Sequence, residues 1–138
     1  MDFNISTAGH GEIINITEEI RKRIKETNIK DGVATIFVTG STAAITTIED
    51  EDGLKKDFNE LMEQIAPENK NYKHHQAWGD RNGAAHLRSA LIGTSLTVPI
   101  EQNDLSLGTW QEIVLIDFDE RPRERRVIVK ITEALKIN

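Results

Sequence analysis

The run IVLI, residues 113 to 116 within WQEIVLIDFD, constrains the fold more than any other part of the sequence. A β-strand with one face in water alternates apolar and polar residues, because successive side chains point to opposite faces of the sheet. A continuous apolar run therefore predicts a strand that is buried on both faces. Either two layers of the same chain or a contact with another subunit must cover those faces. Since aromatic residues make up only 5% of the sequence, we favour an oligomer interface as the cover.

Further strands are predicted on both sides of this run. FNIST and EIINI, separated at His10 and Gly11, have the pattern of a β-hairpin. VATIFVTG is rich in β-branched residues and predicts a buried strand, and STAAITTIED predicts a threonine-rich one. TSLTVPI, the turn QND and LSLGTW predict a second hairpin. After the charged turn RPRERR, VIVKI predicts the last strand of the sheet.

Three segments have helical character. TEEIRKRIKETN carries acids in its first turn and bases later, which suits the helix dipole. The segment 54–65 has apolar residues at helical spacing and ends before Pro67. A third helix is predicted from about 84 to 91, with Leu87 and Leu91 facing the core.

Strands outnumber helices, and hairpin-like turns join most neighbouring strands. The sequence therefore predicts an α+β fold with a mainly antiparallel sheet and about three helices. Residues 1–138 are expected to form a single domain, because the chain is too short for two ordinary domains and contains no linker or repeat. The glycine-rich phosphate loops of parallel nucleotide-binding sheets, GxGxxG or GxxxxGK followed by Ser or Thr, are absent from the sequence.

Composition excludes several classes of protein. With no cysteine, the chain can form neither disulfides nor a thiolate nucleophile, so any metal must be bound by His, carboxylate or amide groups. No segment approaches the roughly 20 apolar residues of a membrane span, and the first residues lack a signal-peptide pattern. A net charge of -6 argues against a general nucleic-acid binder. We expect a cytoplasmic protein without membrane or nucleic-acid partners.

Most of the unusual chemistry lies in residues 71–93, NYKHHQAWGDRNGAAHLRSALIG, which holds three of the four histidines. A loop that runs back onto the third helix would bring His74 and His86 together. Two neutral imidazoles plus a carboxylate form a common divalent-metal set, and Glu49, Asp50 or Asp80 could supply the oxygen. Scattered histidines of this kind are also found as solvated or hydrogen-bonded surface residues, so the spacing alone leaves both interpretations open.

Three other groups could bind a phosphorylated ligand. The acidic cluster at 48–53 could place Mg²⁺ on a diphosphate, or could simply favour the start of the following helix. The arginines of the 121–126 turn have forked donors suited to phosphate, although a charged turn in water needs no ligand. Trp110, beside Gly108 and Gln111, could form a wall for a ring, or could belong to the core of the sheet.

These motifs occur in an order that resembles a known family. They are TGSTAAITTIE, the Y-x-H of Tyr72 and His74, the N-x-x-x-H-L that begins at Asn82, then LIGTSLTVPI and LGTWQEIVLIDFD with an arginine-rich turn. The series resembles the YjbQ-type family, labelled secondary thiamine-phosphate synthase, over nearly the whole chain from the second strand onward. The resemblance implies an α+β antiparallel fold and a homotrimer.

The activity implied by this resemblance is the coupling of hydroxymethylpyrimidine diphosphate to thiazole phosphate with release of pyrophosphate, as a weak or secondary activity. A metal-dependent hydrolase and a trimeric binding protein for a phosphorylated small molecule are the alternatives. The implied catalytic positions are Glu49, His74, Asn82 and His86, and a divalent ion, Mg²⁺ or Zn²⁺, would use His74, His86 and Glu49. Implied substrate-binding positions are Ser41, Thr42, Thr109, Trp110 and Gln111, to which we add Asp80 and Arg126.

Two departures from the family pattern affect the expected metal. Many members have a histidine where this chain has Gly40, and an acid or a histidine where it has Ala84. A site that lacks a third imidazole should hold its ion weakly. We therefore expect a phosphate-binding pocket formed by the Ser41 to Glu49 strand, the 74–86 stretch and residues 109–111, with a metal whose occupancy depends on its concentration.

Overall fold

Two antiparallel β-sheets and four helices make up the computed structural model, which describes residues 1–137. The α+β fold predicted from the sequence is confirmed. The described chain has four helices instead of three, because Lys73–Trp78 forms a short helix that the sequence pattern did not indicate. The strands are β1 Asp2–Thr7, β2 Glu12–Asn15, β3 Asp31–Val38, β4 Ala43–Ile48, β5 Ser95–Glu101, β6 Asp104–Leu105, β7 Glu112–Asp117 and β8 Arg123–Glu133. The helices are α1 Thr17–Lys25, α2 Asp52–Ile65, α3 Lys73–Trp78 and α4 Gly83–Ile92. None of the helices within residues 1–137 is long and apolar enough to cross a membrane.

The larger sheet has the strand order β1-β8-β3-β5-β6 and the smaller one the order β2-β7-β4. The predicted hairpin of β1 and β2 is wrong, because β1 pairs with β8 and β2 pairs with β7 in the other sheet. Gly9, His10 and Gly11 all have left-handed backbone angles, with φ of 82°, 55° and 83°. They turn the chain from one sheet into the other, and the His10 and Gly11 N–H groups donate to the Asp119 and Asp117 carbonyls. The second predicted hairpin, of β5 and β6, is confirmed.

The apolar run in β7 is buried on both faces, as its sequence predicts. Ile113 and Leu115 belong to the main core between the two sheets, to which α1 also contributes. Val114 and Ile116 lie in a second core together with side chains of α2 and α4. Burying side chains of this size contributes about 1.5 to 3 kcal/mol each. Because layers of the same chain cover both faces, the run no longer requires a subunit contact.

A buried ionic network joins the two sheets at the end of β7. The Arg125 guanidinium donates from Nε and Nη2 to the two carboxylate oxygens of Asp117, at 2.7 and 2.9 Å. Nη2 also donates to the Thr42 hydroxyl at 2.6 Å, and that hydroxyl donates to Asp119 at 2.9 Å. The Thr7 hydroxyl of β1 donates to Asp117 as well. The network therefore fixes β1 and β8 of one sheet to β7 and the start of β4 in the other.

The position of Arg125 differs from the sequence prediction. RPRERR was predicted to be a charged turn, but β8 already begins at Arg123 and continues through Arg126. Side chains alternate along a strand, so Arg125 points into the molecule while Arg126 points outward. The bidentate pairing of Arg125 with Asp117 neutralises the guanidinium charge that β8 places inside the molecule.

Replacing Asp117 by Asn should strongly destabilise the protein. The substitution leaves the Arg125 guanidinium buried without its carboxylate partner, and breaking such a pair costs about 3 to 5 kcal/mol. Urea denaturation at pH 7 measures the change in the free energy of unfolding. The control is Asp104→Asn, which removes a surface pair with Arg21 and should cost less than about 1 kcal/mol.

The same variant should show a characteristic pH dependence. Burial alone would raise the pKa of Asp117, but hydrogen bonds from Arg125 and Thr7 outweigh burial and hold the pKa below its usual 3.8. The carboxylate therefore stabilises the fold fully above that usual value, and this contribution is lost as the pH falls through the lower folded-state pKa. The difference between wild type and Asp117→Asn should narrow as the pH decreases below about 4. A constant difference would contradict this account of the pair.

Candidate functional site

Helix α4 packs on the smaller sheet through small side chains. Ala85 and Ser89 are buried, and the Ser89 hydroxyl donates to the Ala43 carbonyl at the start of β4, at 2.5 Å. Small residues allow this close approach of helix and strand. Leu87 and Leu91 were predicted to face the core, and that prediction is wrong, because their side chains are 52% and 59% exposed. They form an apolar stripe on the outer face of the helix.

Helix α3 is fixed against the start of α4. The Gly83 N–H donates to Nε2 of His75 at 3.1 Å, so this histidine serves as an anchor between the helices. A Cβ atom added to Gly83 would lie 2.8 Å from the Cβ of Tyr72, so only glycine permits the contact. This contact determines how α3 presents its next histidine, His74.

His74 and His86 form a close imidazole pair. Their ring centroids are 4.6 Å apart and the ring planes are inclined by 57°. Nε2 of His74 is buried and makes no hydrogen bond with any residue from 1 to 137. A buried polar atom without a partner is costly, so it indicates a ligand or solvent contact in the working protein. The sequence prediction that these two histidines come together is supported by this geometry.

The surroundings of His86 favour its neutral form. Burial lowers the pKa of the ring below its usual 6.5, and neighbouring His74 lowers it further. Asp119, Asp80 and the backbone of Ser41 act in the opposite direction without reversing the shift. At neutral pH the ring can therefore accept a proton or donate a hydrogen bond.

Two cavities meet at His86. The larger, of about 520 Å³, is also lined by His74, Lys70 and Lys73. The Lys70 ammonium lies 5.4 Å from the centre of the Tyr72 ring in the same wall. The sequence interpretation missed both lysines, although a basic residue on each side of Asn71 and Tyr72 was a usable signal. They make this cavity attractive to an anion.

The second cavity, of about 460 Å³, lies between the loop before β4 and helix α4. Ser41 and Gly40 line one wall, and His86 and Ser89 line the other. Ser41 is exposed, so its side chain can contact a ligand, and its role in substrate binding stays a prediction. Thr42 differs, because its hydroxyl is already bonded to Asp119 and Arg125 and cannot also hold a phosphate.

Glu49 lies in a different part of the chain's surface. It lines a third cavity, of about 450 Å³, together with Thr109 and Trp110; the remaining lining residues are Asn15, Asp50, Glu51 and Glu112. Ser41 precedes β4 and Glu49 follows it, and a strand of this length separates its ends by about 17 Å. The expected single pocket of His74, His86 and Glu49 is therefore not formed within one chain. Trp110 is 71% exposed, so it is not a core residue of the sheet.

The remaining predicted site residues have varied positions. Asn82 is buried at the start of α4, and its Oδ1 lacks a hydrogen-bond partner among residues 1–137. Asp80 is exposed, close enough for its charge to act on His86. The Gln111 side chain accepts a hydrogen bond from the Gly108 N–H at 2.8 Å, which closes its own loop. Arg126 is paired with Asp2 at 2.9 and 2.5 Å and does not reach the histidines.

A tightly bound metal does not fit the residues of one chain. Within the described range 1–137, no three His or carboxylate side chains come together in a way that could hold an ion. Catalytic zinc sites use three protein ligands, whereas His74 and His86 supply two imidazoles. A divalent ion held weakly by this pair stays a prediction.

Comparison with known proteins places the chain in a family. The family described as UPF0047 protein YjbQ-like matches residues 1–134. A UPF0047 protein of Archaeoglobus fulgidus is 41% identical over 94% of this chain and 98% of its own length. The UPF0047 protein YugU of Bacillus subtilis is 36% identical over 94% and 96% of the two chains. The chain belongs to the UPF0047, YjbQ-like family.

Solved structures agree with this assignment. A YbjQ-like protein of unknown function from Sulfolobus solfataricus superposes with a TM-score of 0.88, at 30% identity and with 97% of each chain covered. A protein of the yjbq/upf0047 family from Clostridium acetobutylicum gives a TM-score of 0.87 at 33% identity, covering 96% of this chain and 99% of its own. The resemblance inferred from the motifs is therefore confirmed at the level of family and fold.

The histidine pair makes a direct prediction for NMR. We expect the His86 ring to titrate with a midpoint below 6.5, and His74→Ala to move the midpoint upward, because it removes a neighbouring imidazole and admits water. His10→Ala is the matched control, since His10 is exposed and belongs to neither His86 cavity. A wild-type midpoint at or above 6.5, or no change in His74→Ala, would contradict the assigned environment.

Proposed function

We propose that this protein binds a phosphorylated small molecule at the His74–His86 pair and acts on it as a thiamine-phosphate synthase-type transferase. The observation that supports this best is the close His74–His86 pair, whose ring centroids are 4.6 Å apart, at a cavity that Lys70 and Lys73 also line. Two ammonium groups and two imidazole donors are the chemistry that phosphate oxygens require.

In the proposed reaction, the C–O bond between the pyrimidine methylene and its diphosphate breaks, and the thiazole nitrogen attacks that carbon. Pyrophosphate leaves with the bonding electron pair. The lysines would neutralise the diphosphate charge as it increases on the leaving group, and a neutral His86 would donate a hydrogen bond to it. Charge neutralisation and positioning of this kind can supply several kcal/mol without a nucleophilic side chain.

The acidic cavity with Trp110 would supply the other half of the site from a second copy of the chain. Leu87 and Leu91 expose an apolar stripe beside His86, and Trp110 exposes most of its ring beside Glu49. The lysine-containing cavity and the carboxylate-containing cavity have opposite charge. Association of the two surfaces in a homotrimer would bury both and would bring Glu49 and Trp110 to the imidazoles of a neighbour.

A second candidate is a trimeric binding protein that holds the phosphorylated molecule without turnover. The observation that favours it is the separation of Glu49 from His74 and His86 within one chain, since this leaves the imidazole pair without a carboxylate partner. A metal-dependent hydrolase has less support, because two imidazoles do not complete a metal site.

A steady-state assay with both phosphorylated precursors tests the proposed transferase. We expect His86→Ala and Glu49→Gln each to reduce turnover by at least about tenfold, because each removes charge stabilisation or positioning. His10→Ala is a matched control that removes a histidine from outside both His86 cavities, and it should keep the wild-type rate. Equal rates in all variants would mean that the activity is not located here and would favour the binding protein.

Mixing the two inactive variants tests whether the site is shared. If Glu49 and His86 of one site come from different subunits, some sites in mixed trimers receive both native residues. Dissociation and reassociation of an equal mixture should then restore about a quarter of the wild-type rate. If both residues come from the same chain, no site regains the pair and the mixture stays inactive.

The oligomeric state is predicted separately. Light scattering at low micromolar concentration should give three times the 15.6 kDa chain mass for the wild type. The double substitution Leu87→Glu and Leu91→Glu should give a monomer, because charge is placed in an apolar contact. The control is Leu135→Glu, at a leucine that is 91% exposed near the end of the chain, and it should stay a trimer. A wild-type monomer would contradict the trimer and the shared site.

A further inference from the structure

Arg125 is a buried arginine with one uncommitted nitrogen. Its side chain is 7% exposed, and Nε and Nη2 donate to Asp117 and Thr42. Nη1 takes part in none of the hydrogen bonds among residues 1–137, and it is not among the fully buried atoms that lack a partner. Nη1 therefore keeps some accessible surface, and its hydrogens are not accepted by any residue from 1 to 137. A buried guanidinium that is held rigidly and opens at one nitrogen is a preorganised donor.

Gly40 lies directly beside this nitrogen. A Cβ atom built on this glycine would be 2.7 Å from Nη1 of Arg125, closer than two such atoms can approach. Any other residue at position 40 would therefore cover the nitrogen or push the guanidinium away from Asp117. Gly40 also has φ of 123°, a conformation that side chains rarely adopt. Both facts make glycine the residue that keeps this nitrogen accessible.

Gly40 also lines the cavity that contains Ser41 and His86. His86 in turn lies in the cavity of Lys70 and Lys73, so the two cavities are adjacent. A diphosphate that is held by the lysines at one end can extend past His86 toward Gly40. Ser41 lines the cavity there, and Nη1 of Arg125 lies behind Gly40, next to the cavity wall.

The charge balance of the network permits an additional anion. Asp117 and Asp119 carry two negative charges, and Arg125 and Arg123 carry two positive ones; Arg123 lies 2.7 Å from Asp119. The buried group is therefore neutral as a whole, so a phosphate oxygen at Nη1 meets a donor without net repulsion. Arginine N–H groups make strong, directional hydrogen bonds to phosphate oxygens.

We propose that Nη1 of Arg125 binds a terminal phosphate oxygen of the ligand, and that it can do so because Gly40 has no side chain to cover it. The residue at position 40 then determines whether the site accepts a diphosphate. This inference rests on the proposed binding of a phosphorylated molecule at His74 and His86. It assigns the cationic role to Arg125 instead of Arg126, whose guanidinium is paired with Asp2. The ligand class is a small molecule with a diphosphate, or inorganic pyrophosphate itself.

Calorimetric binding of inorganic pyrophosphate tests the proposal with three variants. Gly40→Ala should bind pyrophosphate about tenfold or more weakly than wild type. The added methyl group covers Nη1 of Arg125, so the charge-assisted hydrogen bond from this nitrogen to a phosphate oxygen is lost. Gly79→Ala is the matched control, since Gly79 also has positive φ, 73°, but an added Cβ there meets nothing within 4 Å. It should bind as wild type does. Equal weakening in both glycine variants would assign the effect to backbone strain and overturn the proposal.

His86→Ala separates this inference from the proposed function. Pyrophosphate binding that is lost in His86→Ala but unchanged in Gly40→Ala would overturn the role of Gly40 and keep the phosphate site. Absence of binding to the wild type would overturn both. If Gly40→Ala does not fold, NMR of the Arg125 Nε–H signal in the wild type replaces it. Pyrophosphate should shift that signal, and a titration that shifts only the Lys70 and His74 signals would contradict the proposal.

Discussion

The Arg125–Asp117 ion pair is the interaction on which the rest of the structure depends. It lies between the two sheets, and its Thr42 contact fixes the loop that enters β4. That loop carries Gly40 and Ser41, which form one wall of the cavity at His86. A pair buried this deeply adds little net stability over an apolar contact, but losing one partner is severe. The pair acts here by positioning. It fixes the loop that forms one wall of the candidate site, and it holds the Arg125 guanidinium beside that wall.

The histidines depend on a second constraint, the close packing of α4. Ala85 and Ser89 let α4 approach β4, and Gly83 lets α3 pack against the first turn of α4. His74 and His86 are thereby held together and partly shielded from water, which lowers the pKa of His86 and favours its neutral form. The same packing turns Leu87 and Leu91 outward. One choice of small residues thus produces both the imidazole pair and an apolar surface beside it, which is why we link the site to self-association.

The sequence predicted the elements whose signal is local. Helix α2 follows from apolar spacing and a proline, and the double burial of β7 follows from IVLI alone. The failures have tertiary causes: the turn at 9–11 changes sheets because the end of β7 binds its N–H groups, a partner that no local pattern reveals. Likewise, α4 hides its alanines instead of its leucines because the neighbouring strand is so close.

For the site, the motifs identified the right histidines but could not show which residues share a cavity. Glu49 was grouped with His74 and His86 because two imidazoles and a carboxylate form a common metal set, whereas Glu49 follows β4 and His86 lies near the loop that precedes it. Arg125 was predicted to lie in a turn because four arginines within six residues are typical of a solvated segment.

The most direct test of the whole account is a crystal structure of the wild-type protein grown with pyrophosphate. We predict phosphate oxygens within hydrogen-bond distance of Nη1 of Arg125 and of the His86 ring. Pyrophosphate bound only in the cavity of Glu49 and Trp110, or bound away from both histidines, would contradict it.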